Sequence, residues 1–271
     1  NVISKWDTFD ALKEAHDIKP YLPETRTFKE EHLLEMLEHY PFLFLKPTTL
    51  SLGLGILKVA RSKQGVFVTR QYRNRTVTGQ MSVDGLIKRI KRQNRDYLIQ
   101  QGIALKRYRN RVVDYRVSVQ KDITAQWKVS GLVAKIGRPG GIVTNLHSGG
   151  YSVKARRLFD RWGWRGEEVE SSIKNLALQI AAALEKKYPN IADIGLDVGL
   201  DNEAFPWFFE ANLRDLRITF RDAKEHQMWR ETFMNPVRYA SYLLTRRENR
   251  NINGQELVDC SWDLSRCRLL S

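Results

Sequence analysis

The sequence predicts an α+β fold in two lobes, and three observations carry that prediction. Short turns link consecutive strands between residues 42 and 79 and again between 112 and 136, the pattern of antiparallel meanders. One long amphipathic helix, Glu167 to Tyr188, leads into a hairpin at Asp193–Asn212. A glycine at position 102 interrupts the apolar run Tyr97–Leu105, where a hinge between lobes fits. With 271 residues the chain can bury one large core or two small ones.

In chain order, Ser4 or Asp7 caps a first helix that continues through Phe9, Leu12 and Ala15 and is broken by Pro20 and Pro23. Lys5 lies in its first turn, where the helix dipole does not favour a cation. A second helix is expected over Glu30–His39. Phe42–Leu45 is a short strand ending at Lys46-Pro47, followed by a Ser/Gly loop containing Ser51, Gly53 and Gly55 and then the strand Ile56–Ala60. Glycine lets backbone N–H groups approach an anion. No P-loop order is present, so taken alone an ordinary turn explains the glycines better than a phosphate cradle. Strands at Val66–Thr69 and Thr76–Gly79 precede a helix over Ser82–Gln93, whose outer face carries Lys88, Arg89, Lys91 and Arg92. The Val112–Val119 strand sets Asp114 and Arg116 on one face as neighbours, either an ion pair or part of a site. Trp127–Ile136, with Lys128 and Lys135, pairs with it. The polar, glycine-rich run over residues 137–150 is long for a hairpin turn and reads as a functional loop. Residues 152–164 are mixed and basic. A last helix is expected near Pro236–Leu244, and a polar tail that frays after Arg246.

The hairpin at Asp193–Asn212 holds the chemistry. Period two puts Ile194, Leu196, Val198 and Leu200 on one face, and Asp193, Gly195, Asp197 and Gly199 on the other. On the return arm Phe208, Glu210 and Asn212 share a face, opposite Trp207, Phe209 and Ala211. Folding about Glu203-Ala204 sets Leu200 against Trp207 and Asp197 against Glu210. Two carboxylates at one step repel unless a cation lies between them, and two carboxylates suit Mg²⁺ on a nucleotide. The same acids would equally serve a solvated hairpin face.

Composition narrows the partners. A net charge of +14 favours polyanions. The basic patch has too few aromatics for a single-strand nucleic-acid platform, so nucleic acid is not the expected partner. No apolar run reaches the roughly 20 residues of a membrane span, and no secretory leader is evident. Cys260 and Cys267 are the only cysteines, which excludes a disulfide framework and fits a reducing cytoplasm. A start at Asn1 fits an excised domain or a processed product.

The order of these pieces is similar to the ATP-grasp superfamily, and in particular to the YheC/YheD-type endospore coat-associated family. The likeness is carried by Phe44–Pro47 with Ser51–Ile56, Tyr97–Ile103, Asp114–Val117, Ile142–Leu146 with Ser148–Gly150, and Gly195–Asp197. It implies an α+β ATP-grasp fold with ATP held between antiparallel sheets: a first lobe over residues 1–100, a second with the metal site over 101–245, and a tail over 246–271. It further implies Lys5 and Lys46 at the phosphates, Ser51, Gly53 and Gly55 in a lid, and Gln100, Gln101, Gly102 and Ile103 at adenine. Asp114 would lie near the ribose, with Asp197, Glu210 and Asn212 on Mg²⁺, and Arg116, Lys135 and Arg217 neutralising the transferred phosphate. The activity implied is ATP- and Mg²⁺-dependent ligation of a carboxylate to an amine or thiol through an acylphosphate, with an acidic peptide or protein as acceptor in sporulation. The alternative is an ATP-binding coat component with little catalysis. The chain departs from the family at Leu213–Arg217, where a Lys-Pro-Gly-like turn is usual, and in having little chain before Lys5.

Overall fold

The computed structural model describes residues 3–50, 53–72, 75–213, 215 and 217–252, with backbone only for the last six. Ser51, Cys260 and Cys267, singled out from the sequence, therefore lie outside the described residues. Two six-stranded antiparallel sheets, each with its own apolar core, make up the fold.

The first sheet is built from β1 (Thr25–Thr27), β2 (Phe42–Pro47), β3 (Leu57–Ser62), β4 (Gly65–Gln71), β5 (Thr76–Met81) and β6 (Tyr97–Gln101), in the order β1-β6-β2-β3-β4-β5. Helices α2 (Glu30–His39) and α3 (Val83–Lys91) cover one face, burying Leu33, Met36, Leu37, Leu86, Ile87 and Ile90 against Leu43, Leu45 and Val59. Ser82 caps α3 through the Gly85 N–H, and Lys88, Arg89 and Lys91 in its last turn complement the dipole. The three-residue β1, expected only as a lead-in, is a sheet edge paired with Leu98–Gln100.

The second sheet contains β7 (Arg107–Tyr108), β8 (Arg111–Lys121), β9 (Trp127–Ile136), β10 (Tyr151–Lys154), β11 (Asp193–Leu200) and β12 (Pro206–Asn212), with β10-β9-β8-β11-β12 as its path. Its inner face packs on α5 (Gly166–Lys187) through Ile173, Leu176, Ala177, Ile180, Ala181 and Leu184, the stripe expected from the 3.6-residue period. Helix α1 (Lys5–Leu12) also packs on α5; it carries a reciprocal capping box between Ser4 and Asp7 and stops before Ala15. The basic stretch after residue 150 resolves into β10 and α4 (Ala155–Arg161).

The outer face of this sheet is divided. One end faces the first lobe. The other is covered by α6 (Ile218–Asp222) and α7 (His226–Ile252). Helix α7 runs from ten residues before Pro236, so the proline sits inside the helix and does not start it. A proline lacks an N–H and leaves the carbonyl four residues earlier unpaired. Here that carbonyl belongs to Thr232, and it accepts from Arg217 Nε at 2.8 Å and Gln120 Nε2 at 2.7 Å. Both side chains come from outside α7, which is why Pro236 is tolerated.

Residues 102–106 join the lobes. Gly102 donates its N–H to Phe42 O at 2.9 Å, and a Cβ there would lie 2.1 Å from the Phe42 ring. Beyond it Leu105 bridges to Asp201 and Lys106 N–H donates to Leu200 O. The lobes also meet at the far end, where Gln71 Oε1 accepts from the N–H groups of Ile142 and Val143 at 2.7 and 3.2 Å, and Arg138 donates to Thr76 Oγ1 at 2.5 Å. Replacing Gly102 by alanine should lower stability by roughly 1–3 kcal/mol through overpacking against Phe42, whereas Gly79→Ala, with open space around its Cβ position, should be neutral or stabilising. Thermal and urea unfolding of the two variants checks this.

Candidate functional site

The two sheets enclose a cleft of about 1200 Å³. Its first-lobe wall comes from β2, β3 and β6, and its second-lobe wall from β8, β9, β11 and β12.

On the second wall Asp197 does pair with Glu210, but by a different route from the simple hairpin. Leu200 meets Pro206 instead of Trp207, so the turn is one residue tighter than expected. A bulge between Val198–Phe208 and Asp197–Glu210 then restores the register by leaving Phe209 as the extra residue. The bulge also changes the face parity: Phe208 is buried in the core and Phe209 lines the cleft, the reverse of strict alternation.

Around this pair lies an ion cluster. Lys135 Nζ is 2.8 Å from Asp197 Oδ1 and 3.1 Å from Asp114 Oδ1. Arg116 Nε is 3.1 Å from Asp197 Oδ1, its Nη2 donates to Asp197 Oδ2 at 3.4 Å, and its Nη1 to Asp215 Oδ1 at 3.3 Å. Lys5 Nζ bridges Glu210 Oε1 at 3.0 Å and the Leu50 carbonyl at 2.7 Å. Asp114 and Arg116 therefore pair across strands and not with each other. Burial opposes charge on Asp114, Arg116, Lys135 and Asp197, but the partners decide the last three. Asp197 is held below the usual carboxylate range by Arg116 and Lys135 despite its burial. Arg116 and Lys135 are held above their ordinary values, Arg116 by Asp197 and Asp215 and Lys135 by Asp114 and Asp197, again against burial. For Asp114 burial prevails and pushes the carboxyl up.

Lys46 faces this cluster from β2. Its Nζ donates to Gln100 Oε1 at 2.5 Å and sits 5.5 Å over the Phe209 ring. Gln100 is buried and donates in turn to Thr25 Oγ1 at 3.0 Å, so β1 orients the lysine's partner. Enclosure by protein pulls Lys46 down to about 8 despite the attraction of Glu210.

The remaining sequence candidates divide. Gly53, Gln101, Ile103 and Asn212 line the cleft. Gln101 presents its Oε1 to Glu24 N–H at 3.0 Å. Gly55, at φ +73° beside Pro47 and Leu50, lies in the β2–β3 connection without lining the cleft, and Gly102 stays outside it because Phe42 holds its N–H. Arg217 is a correction: it lies away from the cleft, bonded to Asp193, Thr232 O and Asp215 O, with its ring contact at Phe233. Sequence reading missed two residues. Thr144 donates to Asp114 Oδ2 at 2.6 Å from the glycine-rich loop, and Asp215 pairs with Arg116 from the loop after β12. Neither lies in a periodic segment.

The donors fit a hard cation. Asp197 and Glu210 offer carboxylates from adjacent strands and Asn212 an amide one step away, a set suited to Mg²⁺ bound with nucleotide phosphates. The protein's own Lys and Arg side chains also neutralise those acids, so their proximity alone does not require a metal. Among the described residues no group of three or more His, Cys, Asp or Glu is placed to hold a metal ion. Among them, too, no helix is long and apolar enough to cross a membrane.

A family model described as YheC/D-like ATP-grasp matches residues 1–243. The endospore coat-associated protein YheD of Bacillus subtilis (strain 168) is 29% identical over 246 residues, which cover 89% of this chain and 54% of that protein. YheC of the same strain is 20% identical over 265 residues, covering 93% of this chain and 70% of that protein. The chain thus spans about half the length of YheD. Among solved structures, the D-cycloserine synthetase DcsG superposes with a TM-score of 0.56 at 12% identity, covering 90% of this chain and 70% of the other, a likeness of fold.

At pH 8 Lys46 is about half protonated in the free protein. A polyphosphate bound beside it would raise that pKa, so such binding would take up protons at pH 8 and weaken as pH rises further. Calorimetry of ADP or triphosphate binding in buffers of different ionisation enthalpy reads the uptake. Lys46→Arg, which stays charged, should abolish it.

Proposed function

The chain belongs to the YheC/D-like ATP-grasp family, and from that premise we propose that it is an ATP- and Mg²⁺-dependent ligase joining a carboxylate to an amine or thiol. One observation carries the reading: Lys5 and Lys46 converge with the cross-strand pair Asp197–Glu210 in a single cleft between two sheets. In this reading Lys5 and Lys46 contact the nucleotide phosphates, and Gln101 and Ile103 lie beside the base, with apolar walls from Phe42, Phe44 and Ile56. Asp197, Glu210 and Asn212 hold Mg²⁺, which supplies Lewis-acid neutralisation of phosphate charge. Arg116 and Lys135 stabilise the charge on the transferred group, Asp114 anchors Lys135, and Thr144 fixes Asp114.

The substrate carboxylate oxygen attacks the γ-phosphorus, and the bond to the bridging oxygen breaks to leave ADP. The nucleophile then attacks the acyl carbon of the acylphosphate, loses its proton and expels phosphate. Positioning and charge neutralisation supply the catalysis. The basic outer face of α3 supports an acidic peptide or protein as acceptor, and the names of the two relatives support a place of action at the spore coat, reached from the cytoplasm.

Glu210→Gln should reduce Mg²⁺-dependent ADP release by roughly 10²–10³-fold, the scale of losing one preorganised electrostatic group, with the fold intact by circular dichroism. Unchanged turnover would remove the assignment. Tight Mg-ATP binding without ADP formation, whatever acceptor is supplied, would favour the non-catalytic coat component instead.

A further inference from the structure

Both oxygens of Asp197 lie against protein cations: Oδ1 is 2.8 Å from Lys135 Nζ and 3.1 Å from Arg116 Nε, and Oδ2 is 3.4 Å from Arg116 Nη2. A divalent cation that takes up this carboxylate competes with those N–H groups, and each one it displaces must find another acceptor or remain buried and unpaired. Lys135 already has one in Asp114. For Arg116 the alternative is Asp215.

We propose that Asp215 is a positioning residue that takes over the Arg116 guanidinium when Asp197 turns to a divalent cation, a role that rests on the cleft being a Mg-ATP site. The Asp215 side chain is only 2% exposed, and Oδ1 meets Arg116 Nη1 at 3.3 Å. Its other oxygen, Oδ2, is buried with no hydrogen-bond partner among the described residues, an acceptor held in reserve. A buried carboxylate oxygen without a donor is costly, and a second state of the protein that pairs it accounts for its being kept. The pair sits where β11 has no side chain: a Cβ on Gly195 would lie 2.5 Å from Arg116 Nη1 and 2.8 Å from Asp215 Cγ. Asp215 itself is fixed from behind. Arg217 donates its backbone N–H to Asp215 Oδ1 at 3.3 Å and Nη1 to Asp215 O at 3.1 Å, and Nε ties the same loop to α7. Arg116 can therefore turn from Asp197 to a two-oxygen contact with Asp215 and keep its head in the cleft, facing the phosphates.

The test compares binding of the β,γ-imido analogue of ATP by calorimetry in EDTA and in Mn²⁺, alongside thermal unfolding. In Asp215→Asn the affinity gained on adding Mn²⁺ should shrink about ten-fold, the order of a charged hydrogen bond lost at a buried site. Affinity in EDTA should stay within about two-fold, because Asp197 need not release Arg116 there. Gly195→Ala disturbs the same pair from beneath and should show the same selective loss, so it carries the test if Asp215→Asn does not fold. Variants with the wild-type Mn²⁺ gain would overturn the role. So would equal weakening with and without Mn²⁺ accompanied by a lower unfolding temperature, which marks a structural residue only. A wild-type protein that binds no analogue, or gains nothing from Mn²⁺, would instead overturn the reading of the cleft, and the role with it.

Discussion

Cancellation of charge inside the cleft is the constraint on which the site depends. Asp114, Asp197, Glu210 and Asp215 meet Lys5, Lys46, Lys135 and Arg116, four acids against four bases. Desolvating any one of them alone would cost several kcal/mol; all but Lys46 have an ion-pair partner within 3.3 Å, and Lys46 responds with a lowered pKa. This ties together parts of the chain far apart in sequence, because α1, β2, β8, β9, β11, β12 and the loop after β12 each contribute a member. Lys58 and Arg107 also line the cleft, so its walls carry a positive excess beyond the paired groups.

The two lobes do not contribute alike. The second supplies its charges from neighbouring strands of one sheet, where cross-strand spacing holds them about 5 Å apart. The first supplies a partly desolvated lysine, oriented by a buried chain from Gln100 to Thr25 on the sheet's edge. The lobes are linked at one end by the residues around Gly102 and at the other by Gln71, whose carboxamide receives two consecutive backbone N–H groups of the glycine-rich loop. The cleft is thus bounded at both ends by contacts that do not involve its charged walls.

Much of this was legible in the sequence because it is periodic. The α5 stripe and the alternation along β11 follow from spacing alone. The Asp197–Glu210 pair was also legible, though for an incomplete reason: a turn misjudged by one residue was offset by a bulge that no propensity marks, and the cost of that error fell on Phe208 and Phe209. Arg217 was misplaced because its charge is spent on Asp193 and on helix α7, partners more than ten residues away that no local pattern reveals. Asp215 was passed over in a stretch noticed only for its departure from expectation. Its one signal was Gly195, a missing side chain between two aspartates on the same strand face. Three residues are too few for β1 to show a period.

Pro236 has a consequence for how the last helix finds its place. An uninterrupted helix presents the same closed backbone surface at every turn and can slide by one turn at modest cost. Helix α7 offers an open carbonyl at Thr232, and Gln120 and Arg217 both converge on it. A shift of one turn, about 5.4 Å, would leave that carbonyl facing sealed backbone or apolar side chains and strand two buried donors. The proline thus works as an index mark that fixes the docking register of α7 on the sheet, at the expense of some of the helix's own cohesion.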